Sequence, residues 1–189
     1  MPQARQDGLA NQEALAVVMG RFWRLAVGVV LVAVPRAGEA EEVLGGVLPA
    51  GAAAEILRVH NAERAAVGVA PLRWDQELAS TALACAERLA SRGAFHHCGQ
   101  GENLWLGSTG RFSPTAMVEL WASERRAFQP GLFPEVSRSG RWEDVGHYTQ
   151  MVWRQTTAVG CGAAAGADGR TRLVCHYAPA GNRIGQPVY

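Results

Sequence analysis

The sequence predicts an α+β domain, and three observations carry that prediction. Three segments between residues 52 and 128 repeat apolar residues at helical spacing. The last quarter of the chain changes to a period of two, with a turn sequence between two of its strand-like runs. Neither a glycine-rich phosphate loop nor a repeating strand–helix–strand pattern occurs, which argues against parallel doubly wound units.

The elements follow in order. EEVLGGVLPAG (41–51) reads as a short linker into AAAEILRVHNAERAAV (52–67), a run of helix formers that stops at Gly68 and is closed by Pro71. Asp75 is placed to cap a second helix, where Leu78, Ala82, Cys85 and Leu89 recur at steps of four, three and four before Gly93. A third helix is expected over 113–128, with Ser113 as cap and Pro114 at its first position. Met117, Leu120, Trp121 and Phe128 trace its apolar stripe. Residues 129–146 hold two prolines and three glycines and read as a long loop. HYTQMVW (147–153), AVGCGAA (158–164) and TRLVCHYA (171–178) are the expected strands. Alternation would put His147, Thr149, Met151 and Trp153 on one face of the first of these, with Tyr148, Gln150 and Val152 on the other.

At 189 residues, 48% apolar and 19% charged, the chain is long enough to bury a core. All 18 basic residues are arginine, and the formal net charge of +1 gives no reason to expect a nucleic-acid partner. RFWR (21–24), LAVGVVLVAV (25–34) and PRAGEA (35–40) follow the charged, apolar and small-residue order of a secretory signal, with Met19 as an alternative start. An apolar run of ten residues is too short to cross ~30 Å of hydrocarbon, so no permanent membrane span is expected. Export to a secreted or periplasmic location is the expectation, and removal of residues 1–40 would leave a formal net charge of zero.

Export makes the four cysteines readable as two disulfides. The turn AGADG is centred on Asp168, and a hairpin symmetric about it sets Cys161 opposite Cys175, each seven residues away. Cys85–Cys98 follows by elimination.

Several polar residues stand out. Glu124 falls on the apolar stripe of the third expected helix, where a buried carboxylate needs a partner; the alternative is that the stripe has reached the domain edge. Glu102 lies in QGENLWLG (100–107), between glycines and a short apolar run, where its neighbours Gly101 and Asn103 suggest a turn, just after His96, His97 and Cys98. His147 opens the 147–153 segment, where it is either a packed histidine or a working one. His60 reads as a helix-surface or helix-packing residue, and His176 as a strand residue beside Arg172 and Val174.

HNAER (60–64), AFHHCGQGENLW (94–105), LWASE (120–124), GHYTQMVWRQT (146–156) and VCHYAPAGNRIGQPVY (174–189) occur in one order. Together they resemble the CAP superfamily, the SCP domain of cysteine-rich secretory, antigen-five and plant pathogenesis-related proteins. The resemblance covers about 54–189, which divides the chain into an N-terminal extension with signal (1–40), a linker (41–53) and the domain (54–189). It implies a three-layer α-β-α sandwich with a cleft lined by His97, Glu102, Glu124 and His147. His97 rather than His96 follows from its spacing to Phe95, and Cys98 stands where the family often has serine. Asn61 and Arg64 match a first-helix pattern, Tyr148 and Gln150 flank the cleft, and Cys161 with Cys175 match a hairpin pair. Cys85 has no counterpart that the resemblance supplies.

The resemblance permits a weakly held divalent metal such as zinc on His97 and His147. It implies a binding or interaction module for a lipid, a sterol or an extracellular partner. No catalytic residue is assigned, because the sequence has neither an H-E-x-x-H helix nor a G-x-S-x-G elbow, and no cysteine is left unpaired. The alternative is a metal-dependent hydrolase or protease using the same cleft.

Overall fold

The computed structural model describes residues 48–189. The expected signal, the alternative start at Met19 and most of the 41–53 linker lie outside the described residues. The elements are α1 (Ala52–Ala66), β1 (Arg73–Trp74), α2 (Gln76–Ser91), β2 (Glu102–Ser108), α3 (Pro114–Ser123), α4 (Gly146–Met151), β3 (Ala158–Ala165) and β4 (Arg170–Ala178). Short 3-10 turns occupy Glu124–Arg126 and Trp142–Asp144.

Local chemistry starts two of the helices where the sequence expects it. The Asp75 carboxylate accepts from the backbone N–H groups of Glu77 and Leu78, both at 3.1 Å. Ser113 Oγ accepts from Ala116 N–H at 3.1 Å, with Pro114 at the first helical position.

The sheet order is β1-β3-β4-β2, with β1 parallel to β3 and both other pairings antiparallel. Its register sets Cys161 opposite Cys175 and Glu102 opposite His176. Strand alternation sends Val159, Cys161, Leu173, Cys175 and Tyr177 into a core shared with α1, α3 and α4. Leu104, Ala164 and Val174 point the other way and pack on Ala82, Ala86 and Leu89 of α2. The result is a three-layer α-β-α sandwich. Burial of side chains such as Ile56, Met117 and Leu89, at most 1% exposed, contributes roughly 1.5–3 kcal/mol apiece. On the α2 side the layers approach unusually closely, because Gly160 and Gly162 face that helix. A Cβ on Gly160 would collide with the backbone of Asp75 and Ala79, and one on Gly162 with Leu83.

Both disulfides, Cys85–Cys98 and Cys161–Cys175, are present, with Cα separations of 6.3 Å and 4.1 Å.

Three expectations are corrected. The 147–153 segment is not a strand: Gly146–Met151 is helical, so the alternating faces assigned to it do not exist. The third helix ends at Ser123 and tightens into a 3-10 turn, which rotates Glu124 off the stripe; Val118 takes the core place expected of Leu120, which is 46% exposed. The turn expected around Glu102 from Gly101 and Asn103 gives way at Glu102 itself to a full strand that closes one edge of the sheet.

Candidate functional site

Glu102 is the first residue of β2, and its side chain is wholly buried. His97 Nδ1 donates to its Oε1 at 2.9 Å, and the Cys98 N–H reaches both oxygens at 3.2 Å. Opposite it on β4, His176 Nε2 donates to Oε2 at 3.1 Å. Burial alone would raise the carboxyl pKa. The hydrogen bonds from His176, His97 and Cys98 together outweigh it and hold the group down at about 2. The same contact raises the pKa of His97, whose ring is 58% exposed, against a smaller opposing effect of its partial burial.

A second histidine–carboxylate pair comes from the opposite side of the sheet. His147 Nδ1 donates to Glu124 Oε1 at 2.6 Å, while Glu124 Oε2 accepts from the backbone N–H groups of His147 and Tyr148 at 3.0 and 3.1 Å. Those amides belong to the first turn of α4, where N–H groups have no partner within the helix, so Glu124 caps α4 from a distance. The His147 ring stacks on Trp121, with centroids 5.6 Å apart and planes 14° from parallel.

Behind the pairs runs a buried polar chain. His60 Nδ1 donates to Ile56 O at 2.8 Å, which leaves Nε2 to accept from Tyr177 Oη–H at 2.7 Å. Asn103 Nδ2 then donates to Tyr177 Oη at 3.2 Å and to the His147 carbonyl at 3.0 Å. Burial lowers the His60 pKa to about 4, the His60 bond to Ile56 opposing it, so the ring stays neutral and the chain keeps one direction. Beside it Arg64, 1% exposed, donates to the carbonyls of Ala70, Met151, Trp153 and Thr156 at 2.7–3.1 Å. Desolvation lowers its pKa to about 10, and it remains a cation at neutral pH.

His97, Glu102 and His147 line one cleft of about 870 Å³, together with Gln150 and a wall that includes Phe133, Trp142 and Ile184. Glu124 lies behind His147 and is not part of the lining. Asn61 is engaged elsewhere: its side chain exchanges hydrogen bonds with the backbone of Leu72 at 2.7 and 3.1 Å. Tyr148 is buried against Phe128. With each Nδ1 bonded to a carboxylate, Nε2 is the ring nitrogen that His97 and His147 have left for a ligand, a donor set that suits a divalent metal.

Sequence reasoning passed over His176, Asn103 and Tyr177. His176 was visible only as one member of an alternating strand, and its bond to Glu102 requires the β2–β4 register. Cys85 Sγ, a Glu102 oxygen and a His176 nitrogen lie within 4.8 Å of one another, but a disulfide sulfur carries no proton and is not a thiolate.

A four-stranded sheet lies between helical layers, and His97 and His147, each paired with a carboxylate, line one cleft. Residues 57–177 match the family described as CAP: Cysteine-rich secretory protein family, and the chain belongs to it. Among curated relatives it is similar to Pathogenesis-related leaf protein 4 of Solanum lycopersicum, 41% identical over 71% of this chain and 82% of that one. Pathogenesis-related protein 1 of Arabidopsis thaliana is 37% identical over 71% and 81%. Among solved structures, "Crystal structure of NaASP2 with Zn2+" superposes with a TM-score of 0.62 at 25% identity, covering 75% and 86% of the two chains. "Structure of BmVAL-1" gives 0.62 at 26%, covering 77% and 85%.

Proposed function

We propose that the chain is an exported CAP-domain module that holds a divalent cation on His97 and His147 and acts by binding a ligand in their cleft. The observation that carries this reading is the pairing of each imidazole with its own carboxylate through Nδ1, which orients the ring and raises its basicity toward a metal at Nε2. A bound cation would supply a Lewis-acidic point for an anionic or carbonyl group of the ligand. His97 and Glu102 hold one side of that point, and His147 with Glu124 the other. The NaASP2 structure named with Zn2+ supports a metal of that kind.

The cleft wall extends the reading. Trp142 is 41% exposed and Ile184 82% exposed, so apolar surface lies open next to the polar pairs. A ligand with an apolar body and one polar group suits that combination, and lipids, sterols and apolar peptides all have it. No helix of the described residues is long and apolar enough to cross a membrane. The expected signal supports export with cleavage after Ala40, which N-terminal sequencing of the extracytoplasmic protein checks.

The deciding experiment is calorimetric titration of zinc into metal-free protein with both disulfides intact. Wild type should take up zinc saturably, and His97→Ala/His147→Ala should lose that uptake. Equal uptake by the two proteins rejects the metal site. A peptide and ester hydrolysis panel on the same samples tests the binding reading, which fails if His147→Ala abolishes a measurable turnover.

A further inference from the structure

Cys85 lies against the Glu102 carboxylate, with its Sγ 3.6 Å from Oε2. On the same oxygen, His176 Nε2 stands at 3.1 Å. Ligand atoms of a tetrahedral zinc, with Zn–N and Zn–O of ~2.0–2.1 Å and Zn–S of ~2.3 Å, stand roughly 3.3–3.8 Å apart. Two of the three separations among the Cys85, Glu102 and His176 atoms are near those lengths, and the third, between Cys85 Sγ and the His176 ring, is no more than 4.8 Å. The fourth corner is Cys98 Sγ, bonded to Cys85 and half-buried.

We propose that Cys85, Cys98, Glu102 and His176 form a second, redox-gated metal site, closed while the disulfide is intact and opened by its reduction to take a thiolate-seeking divalent cation such as zinc. The step balances with a small-molecule thiol as reductant. One thiol attacks Cys98 Sγ, the more exposed sulfur, and a second resolves the mixed disulfide. Two electrons reduce the Cys85–Cys98 bond, the thiol pair leaves as its own disulfide, and each cysteine gains a proton. Zinc then displaces those two protons as both sulfurs bind it as thiolates, and displaces as well the proton that His176 Nε2 donates to Glu102.

The surroundings suit the task. Thr81 Oγ donates to Leu78 O at 3.0 Å, so its oxygen is turned to accept from His176 Nδ1–H at 2.9 Å. That bond keeps a proton on Nδ1, so a metal binding at Nε2 takes the place of the proton that Nε2 donates to Glu102. Glu102 divides its two oxygens between the sites: Oε1 takes His97, and Oε2 faces Cys85 and His176. A zinc bound here would tie the His97–Cys98 loop to α2 in place of the covalent bond. The tether survives reduction, and Glu102 stays aligned with His97.

Cobalt(II) reports this site without relying on any activity, because thiolate coordination gives a near-ultraviolet charge-transfer band. Metal-free protein is titrated with cobalt(II) before and after treatment with a phosphine reductant, which contributes no thiolate of its own. The oxidised protein should show no band. The reduced wild type should keep its near-ultraviolet circular dichroism and develop a band saturating at a single equivalent. Cys85→Ser and His176→Ala should weaken cobalt binding by about tenfold or more, with reduced wild type as the folding reference because it also lacks the cross-link. His147→Ala should retain the band, which separates this site from the one in the cleft. A reduced wild type that unfolds or shows no band overturns the proposal. So does a band undiminished in Cys85→Ser, or one lost in Cys161→Ala/Cys175→Ala.

Discussion

Glu124 and Arg64 close opposite ends of the same six-residue helix. The carboxylate of Glu124 accepts the first-turn N–H groups of His147 and Tyr148, and the guanidinium of Arg64 donates to Met151 O at the last residue and Trp153 O just beyond. An anion at the N-terminus and a cation at the C-terminus both oppose the helix dipole. A helix this short is not stable by propensity, so α4 exists because residues from α1 and from the end of α3 supply its missing partners. His147 stands on that helix, and its placement follows from the same two charges.

Arg64→Met tests the C-terminal half. Methionine keeps part of the apolar stem but leaves the carbonyls of Ala70, Met151, Trp153 and Thr156 without their donor. Leaving buried acceptors bare costs about 1–3 kcal/mol per site, so a total loss of about 3 kcal/mol or more is expected. Urea unfolding at neutral pH measures it. Arg64→Lys should fall between the two, because an ammonium cannot span four carbonyls in the plane of a guanidinium. A change below about 0.5 kcal/mol in Arg64→Met would mean that α4 stands without its C-terminal cation.

Glu124→Gln separates capping from metal binding. The glutamine carbonyl can still accept from the amides of His147 and Tyr148, so the urea midpoint should move little. It removes the charge facing His147 Nδ1, and zinc affinity should fall by about 10–100-fold. Calorimetry on the folded variant reads this directly. Unchanged affinity would show that the carboxylate serves the helix alone.

The sequence made the helices and the hairpin readable because each announces itself locally. Asp75 and Ser113 cap where they should, and Asp168 centres a turn that places Cys161 opposite Cys175. The 147–153 segment failed for a physical reason: its β-branched and aromatic residues favour a strand, and the groups that make it a helix lie 23 and 87 residues away in sequence. Glu124 drew attention for a polar residue on an apolar stripe, yet the helix ends before it. Its partner was found through the family motif rather than through periodicity. His176 shows the limit most clearly, since nothing in VCHYA indicates a carboxylate until β2 is paired beside it.

Gly160→Ala and Gly162→Ala test the close approach of α2 to the sheet. Either Cβ would enter space held by helix backbone rather than by a movable side chain. Overpacking of that kind costs about 1–3 kcal/mol, and α2 carries Cys85, which anchors the loop bearing His97. Both variants should unfold at lower urea, and Gly160→Ala should also weaken zinc binding if α2 shifts. Gly169→Ala, at φ +71° in the hairpin turn with nothing near its Cβ, is the control for backbone strain alone.

Acidification should weaken the fold in two successive stages, led by two buried groups whose pKa values folding lowers. His60 falls from 6.5 to about 4, so the unfolded chain takes up that proton first. Its contribution is complete above pH 6.5 and is lost as the pH falls to 4, amounting to about 3 kcal/mol. The cause is structural: a proton on Nε2 removes the acceptor for Tyr177 Oη–H and places a charge in a fully buried position. Glu102 falls from 4.5 to about 2, so its contribution is complete above pH 4.5 and is lost between there and 2, again about 3 kcal/mol. His97 runs the other way. Its raised pKa means stability present below 6.5 and lost as the pH rises through the folded value, within the same contact already counted for Glu102. Urea midpoints from neutral pH down to about 2 should therefore drop in two steps. His60→Gln should flatten the upper step and leave the lower one, whereas Glu102→Gln should keep the upper step and shrink the lower, to which Asp168 and Asp75, whose pKa values are also lowered by their hydrogen bonds, still contribute. Identical pH profiles for wild type and His60→Gln would remove the buried histidine from the account and leave Glu102 as the only acid-sensitive group among these two.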